Sequence, residues 1–115
     1  FELGSDIILY STTKYIEGHN ATVGGALLAK NPELIEKFDY FRNTTGSIQT
    51  PFNAWLTLQG IKTLPLRMQE HSKNALCVAK FLSQHKKIDK VIYPGLPSFP
   101  QQELATKQQL AMGGM

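Results

Sequence analysis

The sequence predicts an α/β fold, because short apolar runs that suit strands alternate with longer segments whose apolar residues recur at helical spacing. The chain has 115 residues, of which 42% are hydrophobic and 18% are charged. That length suffices for one small domain and excludes a complete large enzyme of two domains. The composition is typical of a folded chain with an apolar core and excludes disorder along the whole length.

Two strands are predicted near the start of the chain. Residues 6–10 form a short, branched apolar run between small and hydroxyl residues, which suits a strand buried on both faces of a sheet. Residues 22–29 suit a second strand, and its paired glycines, Gly24 and Gly25, allow another backbone or a ligand to approach closely. The loop between the two strands is therefore a candidate site.

Two helix starts follow the strands. Asn31-Pro32-Glu33 places an N-cap residue, a proline at the first helical position and an acid in the first turn, which predicts a helix that ends near Arg42. Thr50-Pro51 repeats the signal, and Gly60 suits the left-handed residue beyond the end of a short helix. The aromatic residues of these helices, including Phe52 and Trp55, are expected in the core rather than against a cofactor.

A longer helix is predicted over residues 63–85, because apolar residues alternate at spacings of four and three. One buried face is expected to hold Leu64, Met68, His71, Ala75, Val78 and Leu82. A third strand over residues 91–93 and a turn over residues 94–97 come next. Ser98 and Gln101 form a capping-box pattern that predicts a last helix through about Ala111.

The charge and the cysteine count narrow the class of protein. The formal net charge is +3, and the excess cations lie in the second half without clustering, so no nucleic-acid partner is expected. The single cysteine, Cys77, cannot form an intrachain disulfide, which favours a reducing compartment and a cytoplasmic protein. Because no apolar run approaches the length of a membrane span and no His/Cys cluster has metal-ligand spacing, neither a membrane nor a metal is expected.

Lys14 is the residue whose position suggests chemistry. It lies just past the end of the first predicted strand and follows the hydroxyl residues Ser11, Thr12 and Thr13, and ligand sites in α/β sheets lie at such strand ends. A lysine desolvated there can condense with an aldehyde to a Schiff base, and the hydroxyls can donate hydrogen bonds to a phosphate. Spacing alone leaves the opposite interpretation open, since a lysine is most often a solvated surface group.

The run around Lys14 closely resembles a segment of one enzyme family. Residues 4–19, GSDIILYSTTKYIEGH, are similar to the cofactor-lysine segment of the Cys/Met-metabolism enzymes that depend on pyridoxal phosphate. The similarity continues in chain order through residues 60–68, 90–96, 108–109 and 113–115. It covers nearly the whole chain, and its first segment is highly specific.

The resemblance implies which residues hold the cofactor. Lys14 matches the lysine that binds pyridoxal phosphate as an internal aldimine and carries protons once the substrate releases it. Ser11 and Thr13 match the two hydroxyl positions that bind the cofactor phosphate. His19 and Gly18 also match the family motif, and a structural role is expected for both, because a lone histidine in a turn is more often packed than catalytic.

A fold and a division of the chain are also implied by the resemblance. The fold is that of the PLP-dependent transferases, fold type I, with an aspartate-aminotransferase-like large α/β domain and the start of a small C-terminal domain. Residues 1–62 would end the large domain, residues 63–86 would form a long connecting helix, and residues 87–115 would begin the small domain. Members of the family are homo-oligomers, tetramers built as dimers of dimers.

Several parts of the family's site have no counterpart in the chain. The aromatic residue stacked on the cofactor ring, the aspartate paired with the ring nitrogen and the Gly-rich phosphate loop would precede this stretch, and the arginine that holds the substrate carboxylate would follow it. We therefore expect an internal piece of a longer polypeptide that is inactive alone.

The activity implied by the resemblance is transsulfuration on a small amino-acid substrate. Removal of the α-proton would precede elimination or replacement at the β or γ carbon, with a carbon–sulfur bond broken or made. Residues 90–97 look most like cystathionine γ-synthase or γ-lyase, and the alternatives within the family are O-acylhomoserine sulfhydrylase, methionine γ-lyase and cystathionine β-lyase.

Two hypotheses from other classes of protein remain. One is an interaction or structural module in which Lys14 is only a turn lysine. The other is a weak polyanion binder that uses the basic residues Lys86, Lys87 and Lys90. A covalent cofactor adduct on Lys14 is expected only of the enzyme.

Overall fold

The computed structural model describes residues 1–115, which form two compact units, Phe1–Leu64 and Pro65–Met115. In chain order, the elements are strand β1 (Ile7–Ser11), a π-helical turn (Thr12–Ile16), strand β2 (Gly25–Ala29), and helices α1 (Pro32–Thr45), α2 (Pro51–Ser83) and α3 (Gln102–Gln108). The division of residues 1–62, 63–86 and 87–115 between parts of a larger enzyme stays a prediction. No helix of the chain combines the length and the apolar character needed to span a membrane.

Strands β1 and β2 pair in an antiparallel sheet, with Ile7 opposite Ala29 and Ser11 opposite Gly25. Both strands were expected, although β2 begins later than predicted. The expected burial of β1 on both faces is wrong for this chain, because the sheet has only two strands. Leu9 is 72% exposed and Tyr10 is also exposed.

Helix α1 begins where its sequence signal predicts and ends later. Asn31 caps it, since its Oδ1 accepts a hydrogen bond of 2.9 Å from the Glu33 N–H. The predicted end near Arg42 is wrong. The helix continues to Thr45, because the residue that adopts the left-handed conformation is Gly46, at φ +69°.

Helix α2 joins two segments that were predicted as separate helices. Gly60 does not end the first one, because it lies inside α2 and is not among the glycines with positive φ. Its missing side chain serves a close approach instead: a β-carbon at Gly60 would lie 2.8 Å from the Cα of Glu17. The helix also contains Pro65, whose nitrogen has no hydrogen to donate to the turn before it.

The aromatic residues of α2 do not lie in a core. Phe52 and Trp55 are both more than half exposed, and their rings stack on each other with centroids 6.0 Å apart. The expectation that they are core residues is therefore wrong for this chain.

The second unit has a small core around Ala79, Tyr93 and Leu96, all of them buried. On α2 the residues that pack there are Ala75, Leu76 and Ala79. The predicted face is thus rotated, since it included His71 and Val78, which are exposed. The Tyr93 hydroxyl lies 3.0 Å from the carbonyl oxygen of Gly113 and 3.3 Å from that of Ser72.

The segment before α3 is a series of turns. Residues 91–93 do not form the predicted strand, because no other strand pairs with them. The turn at residues 94–97 is confirmed, with the Leu96 N–H donating to the Tyr93 carbonyl at 3.0 Å. The capping box is wrong: turns continue to Gln101, whose side chain caps nothing, so α3 is only seven residues long and ends at Gln108 rather than near Ala111.

Candidate functional site

Lys14 lies in the π-helical turn that directly follows β1. Its backbone, at φ −93° and ψ −124°, departs from the helical conformation of its neighbours, and its side chain is exposed. Two backbone hydrogen bonds hold the turn: the Gly18 N–H donates to the Lys14 carbonyl at 2.8 Å, and the Glu17 N–H donates to the Thr12 carbonyl at 3.0 Å. The turn therefore presents the lysine amine from an anchored main chain.

The Thr13 hydroxyl forms two hydrogen bonds, both to the backbone of Gly24. The Gly24 N–H donates to the Thr13 Oγ1 at 2.9 Å, and the hydroxyl donates to the Gly24 carbonyl at 3.2 Å. The same carbonyl accepts the N–H groups of Thr12 and Thr13 at 3.0 and 3.3 Å. Gly24 thus fixes the residues that lead into Lys14.

The close approach predicted for the paired glycines occurs at Gly24. A β-carbon at this position would lie 2.7 Å from the Thr12 Oγ1 and 3.1 Å from the Gln49 Nε2. Any side chain here would therefore displace Thr12.

Two hydroxyls beside the turn are buried without a hydrogen-bond partner. Thr12 and Thr22 are each 6% exposed, and the Oγ1 atom of each is unpaired. Buried polar atoms normally find a partner, so each such atom marks a place where a polar group can bind. Ser11 is exposed at the end of β1, so its hydroxyl is accessible to a ligand.

Glu17 is a fully buried acid three residues after Lys14, with 1% of its side chain exposed. Its Oε2 accepts hydrogen bonds from the N–H groups of His19 and Ala21, both at 3.1 Å. The chain curls around this carboxylate because Gly18 and Asn20 both adopt positive φ, at 76° and 59°. Glu17 is therefore the anion around which the loop folds.

The environment of Glu17 favours its charged form. Burial acts to raise the pKa of the carboxyl, but the backbone N–H groups of Ala21 and His19 and the nearby His19 ring outweigh it, so the pKa lies below its usual 4.5. The direction follows from the donors, since they bond the ionised oxygen most strongly.

His19 has the structural role expected of it. Its Nδ1 lies 2.7 Å from the Glu17 carbonyl oxygen, and because a carbonyl only accepts, that nitrogen carries the hydrogen. The same nitrogen is 3.6 Å from the Glu17 Oε1, but the ring is 58% exposed, so solvent weakens this pairing.

Sequence reasoning assigned no role to Glu17 and did not foresee its burial. The signal was present in the sequence. An acid flanked by Gly18 and Asn20, two residue types that tolerate positive φ, can collect backbone N–H groups around its carboxylate.

One concavity of the first unit lies away from Lys14. It has a volume of about 850 Å³ and lies between β2 and α1, lined by Leu27, Phe38 and Phe41 among others. Neither Ser11, Thr13 nor Lys14 lines it. The chain has no group of three or more His, Cys, Asp or Glu side chains that could hold a metal ion.

Over residues 1–115, the chain matches the model of the family described as Cys/Met metabolism PLP-dependent enzyme, and it belongs to that family. It is 51% identical over 113 residues to the probable cystathionine gamma-synthase of Herpetosiphon aurantiacus, with 98% of this chain and 35% of that protein aligned. It is 46% identical over 114 residues to the cystathionine gamma-lyase of Dictyostelium discoideum, with 99% of this chain and 30% of that protein aligned.

A solved structure is also similar to this chain. The cystathionine gamma synthase from Xanthomonas oryzae pv. oryzae, in complex with aminoacrylate and cysteine, superposes with a TM-score of 0.93 at 41% identity, over 98% of this chain and 29% of that one. This likeness confirms the fold type I of the PLP-dependent transferases. The chain spans about a third of the length of the relatives it matches.

The residues around Lys14 fit the family's cofactor, pyridoxal phosphate. A primary amine that can condense with the cofactor aldehyde is exposed on the turn, and the Ser11 hydroxyl is exposed before it. The unpaired hydroxyl of Thr12 adds a buried polar group beside them. This donor set, an amine with hydroxyls on its N-terminal side, suits an aldehyde that carries a phosphate.

Proposed function

We propose that the whole protein is a pyridoxal-phosphate-dependent transsulfuration enzyme of the cystathionine γ-synthase or γ-lyase type, with Lys14 as its Schiff-base lysine. The observation that carries the proposal is the exposed Lys14 amine on a turn held by two backbone hydrogen bonds at the end of β1. The family match supports the cofactor. The identity of 51% with a probable γ-synthase, against 46% with a γ-lyase, favours the synthase.

Three residues divide the work at the cofactor. Lys14 would hold it covalently through Nζ, and the same nitrogen, once free, would carry the proton removed from the substrate α-carbon. Ser11 donates its exposed hydroxyl to the phosphate. Thr13 is a second donor to the phosphate. Its hydroxyl hydrogen turns from the Gly24 carbonyl to the phosphate, while its oxygen still accepts the Gly24 N–H. When bound, the cofactor supplies an electron sink for the charge left on the α-carbon.

Borohydride reduction of the whole protein, followed by peptide mapping with mass spectrometry, tests the role of Lys14. Reduction fixes a lysine Schiff base as a stable pyridoxyl adduct, and we expect that adduct on Lys14. The Lys14→Ala variant should lose it, whereas Lys37→Ala, which removes an exposed lysine of α1, should keep it. A bare Lys14 in the wild-type protein would leave the interaction module as the better hypothesis.

The substrate is tested by the products of four reactions. Cystathionine formed from O-acylhomoserine and cysteine, with release of the acyl group as a carboxylic acid, supports the γ-synthase. Cysteine, 2-oxobutyrate and ammonia formed from cystathionine and water identify γ-elimination, and homocysteine, pyruvate and ammonia identify β-elimination. Homocysteine formed from O-acylhomoserine and sulfide identifies the sulfhydrylase.

We also propose, from the family resemblance, that the whole protein works in the cytoplasm as a homotetramer built from two dimers. Exposed apolar side chains on α1 and α2, such as Phe41 and Trp55, are consistent with further protein surface covering this chain. The molar mass measured by light scattering tests the assembly, and a monomer would contradict it.

A further inference from the structure

We propose that Glu17 is a positioning residue for Lys14: its buried carboxylate holds the loop of residues 17–22, and that loop holds the main chain that carries Lys14. The inference rests on the proposed function, because the position of Lys14 matters only if this residue binds the cofactor. Glu17 is not proposed to touch the cofactor, and it acts through the backbone alone.

The first observation is the isolation of the Glu17 carboxylate from solvent. Glu17 is the only charged residue among the buried polar residues of the chain, the others being Thr12, Thr22 and Thr57. An ionised carboxylate is costly to bury unless hydrogen bonds replace its water. Here, the N–H groups of His19 and Ala21 both donate to its Oε2 at 3.1 Å. Because both of these donors belong to one loop, their hydrogen bonds to the buried carboxylate hold that loop in one conformation.

The second observation links that loop to Lys14. The two N–H groups that anchor the turn belong to Glu17 itself and to the next residue, since Glu17 donates to the Thr12 carbonyl and Gly18 donates to the Lys14 carbonyl. Because these peptides begin the loop that surrounds the carboxylate, a shift of the loop moves the donors away from Thr12 and Lys14. No other backbone N–H outside the helices and strands donates to the Lys14 carbonyl.

The third observation is the close packing of helix α2 against the Glu17 backbone. Gly60 of α2 presses against the Glu17 main chain so closely that a β-carbon on it would lie 2.8 Å from the Glu17 Cα and carbonyl carbon. The Glu17 backbone is thus held between the helix on one side and its own carboxylate loop on the other. This arrangement fixes the peptides whose N–H groups anchor the carbonyls of Thr12 and Lys14.

The test compares labelling of two lysines in one protein. Whole protein freed of cofactor is exposed briefly to pyridoxal phosphate and reduced with borohydride, and mass spectrometry gives the ratio of adduct on Lys14 to adduct on Lys37, an exposed lysine of α1. Glu17→Ala should lower this ratio roughly tenfold, the factor expected when hydrogen bonds to a charged acceptor are lost. Unfolding would also lower the ratio, because it exposes both lysines alike, so the ratio is compared only among variants whose far-UV circular dichroism and melting curve show a folded protein.

Hydrogen exchange supplies a second readout that needs no cofactor. The amides of His19 and Ala21 should exchange about tenfold faster in Glu17→Ala, because their acceptor is gone. Glu17→Gln should keep most of the labelling ratio and of the protection, since its amide oxygen can accept both N–H groups. The matched control is Glu36→Ala, which removes an exposed acid of α1 and should change neither readout.

The outcomes separate this inference from the proposed function. Wild-type protein that shows no preference for Lys14 overturns the proposed function. A wild-type preference that persists in Glu17→Ala overturns the inference alone, as does a Glu17→Gln variant as impaired as Glu17→Ala, which would rule out the acceptor role. Should Glu17→Ala fail to fold, Glu17→Asp, which keeps the charge but withdraws the oxygens by one methylene, is judged by the same two readouts.

Discussion

At the scale of single residues, the site depends on two side chains that form hydrogen bonds to the backbone. Thr13 bonds both the N–H and the carbonyl of Gly24, and Glu17 collects the N–H groups of His19 and Ala21. Each contact lies on one side of Lys14 in the chain. The lysine therefore has a hydrogen-bonded backbone on either side and an exposed side chain, as the proposed Schiff-base role requires.

Glu17 should make the stability of the protein depend on acid. The pKa of its carboxyl is lower in the folded chain than its usual 4.5, so its stabilising contribution is complete above that pH and is lost as the pH falls through the folded value. The measurement is the melting temperature of wild type and Glu17→Gln between neutral pH and about pH 3. The advantage of wild type should shrink as the pH falls, and an advantage independent of pH would contradict the assignment.

At the scale of elements, the ends of α1 are determined by local signals. Asn31 caps the first turn through Glu33, and Gly46 ends the helix in the left-handed conformation. No residue of α1 is fully buried, so its capping interactions weigh more than they would in a helix held by a core. The start of such a helix can be predicted from its cap because the cap acts within a few residues.

Removal of this cap should destabilise α1 measurably. Asn31→Ala is expected to cost about 1 kcal/mol, because the Glu33 N–H loses its acceptor. The matched control is Asn43→Ala, which removes an exposed asparagine from the last turns of the same helix and should be nearly neutral. Exchange rates of the first α1 amides in the whole protein measure both effects, and equal changes in the two variants would contradict the capping role.

The elements that sequence reasoning misjudged share one cause, which is contact with distant parts of the chain. Gly60 is a residue type that often ends a helix, yet it lies within α2. Glycine is needed there because the Glu17 backbone occupies the space that a side chain would fill. Residues 91–93 have the composition of a strand but lack a partner strand, so Tyr93 packs into a core instead. Local patterns cannot reveal either neighbour. The positions of Lys14 and Ser11, which follow directly from the end of β1, could be predicted for the opposite reason.

At the scale of the whole molecule, the second unit is held by very few buried groups. Its core consists of Ala79, Tyr93 and Leu96 with a partly buried ring around them. Tyr93 is the only one of the three with a polar atom in its side chain, and its hydroxyl lies within hydrogen-bond distance of the Gly113 and Ser72 carbonyls. Segments far apart in the chain therefore meet at one hydroxyl.

Loss of that hydroxyl should weaken the unit. Tyr93→Phe is expected to lower the free energy of unfolding by about 1 kcal/mol, because the buried ring stays while the hydrogen bond that the hydroxyl donates is lost. Tyr40→Phe, at an exposed position of α1, is the control and should change little. Denaturant unfolding of the whole protein measures both variants, and an equal effect of the two would show that the Tyr93 hydroxyl adds nothing.

The contact between Gly60 and Glu17 also bears on the order in which the protein can fold as it is synthesised. The two residues are far apart in the chain, so their contact closes a long loop, and the entropy of that closure opposes it until α2 exists to hold Gly60 in place. While the ribosome is still adding the residues before Gly60, the segment around Lys14 lacks the contact between Glu17 and α2. Lys14 thus reaches its final geometry only after a helix encoded well downstream of it has emerged.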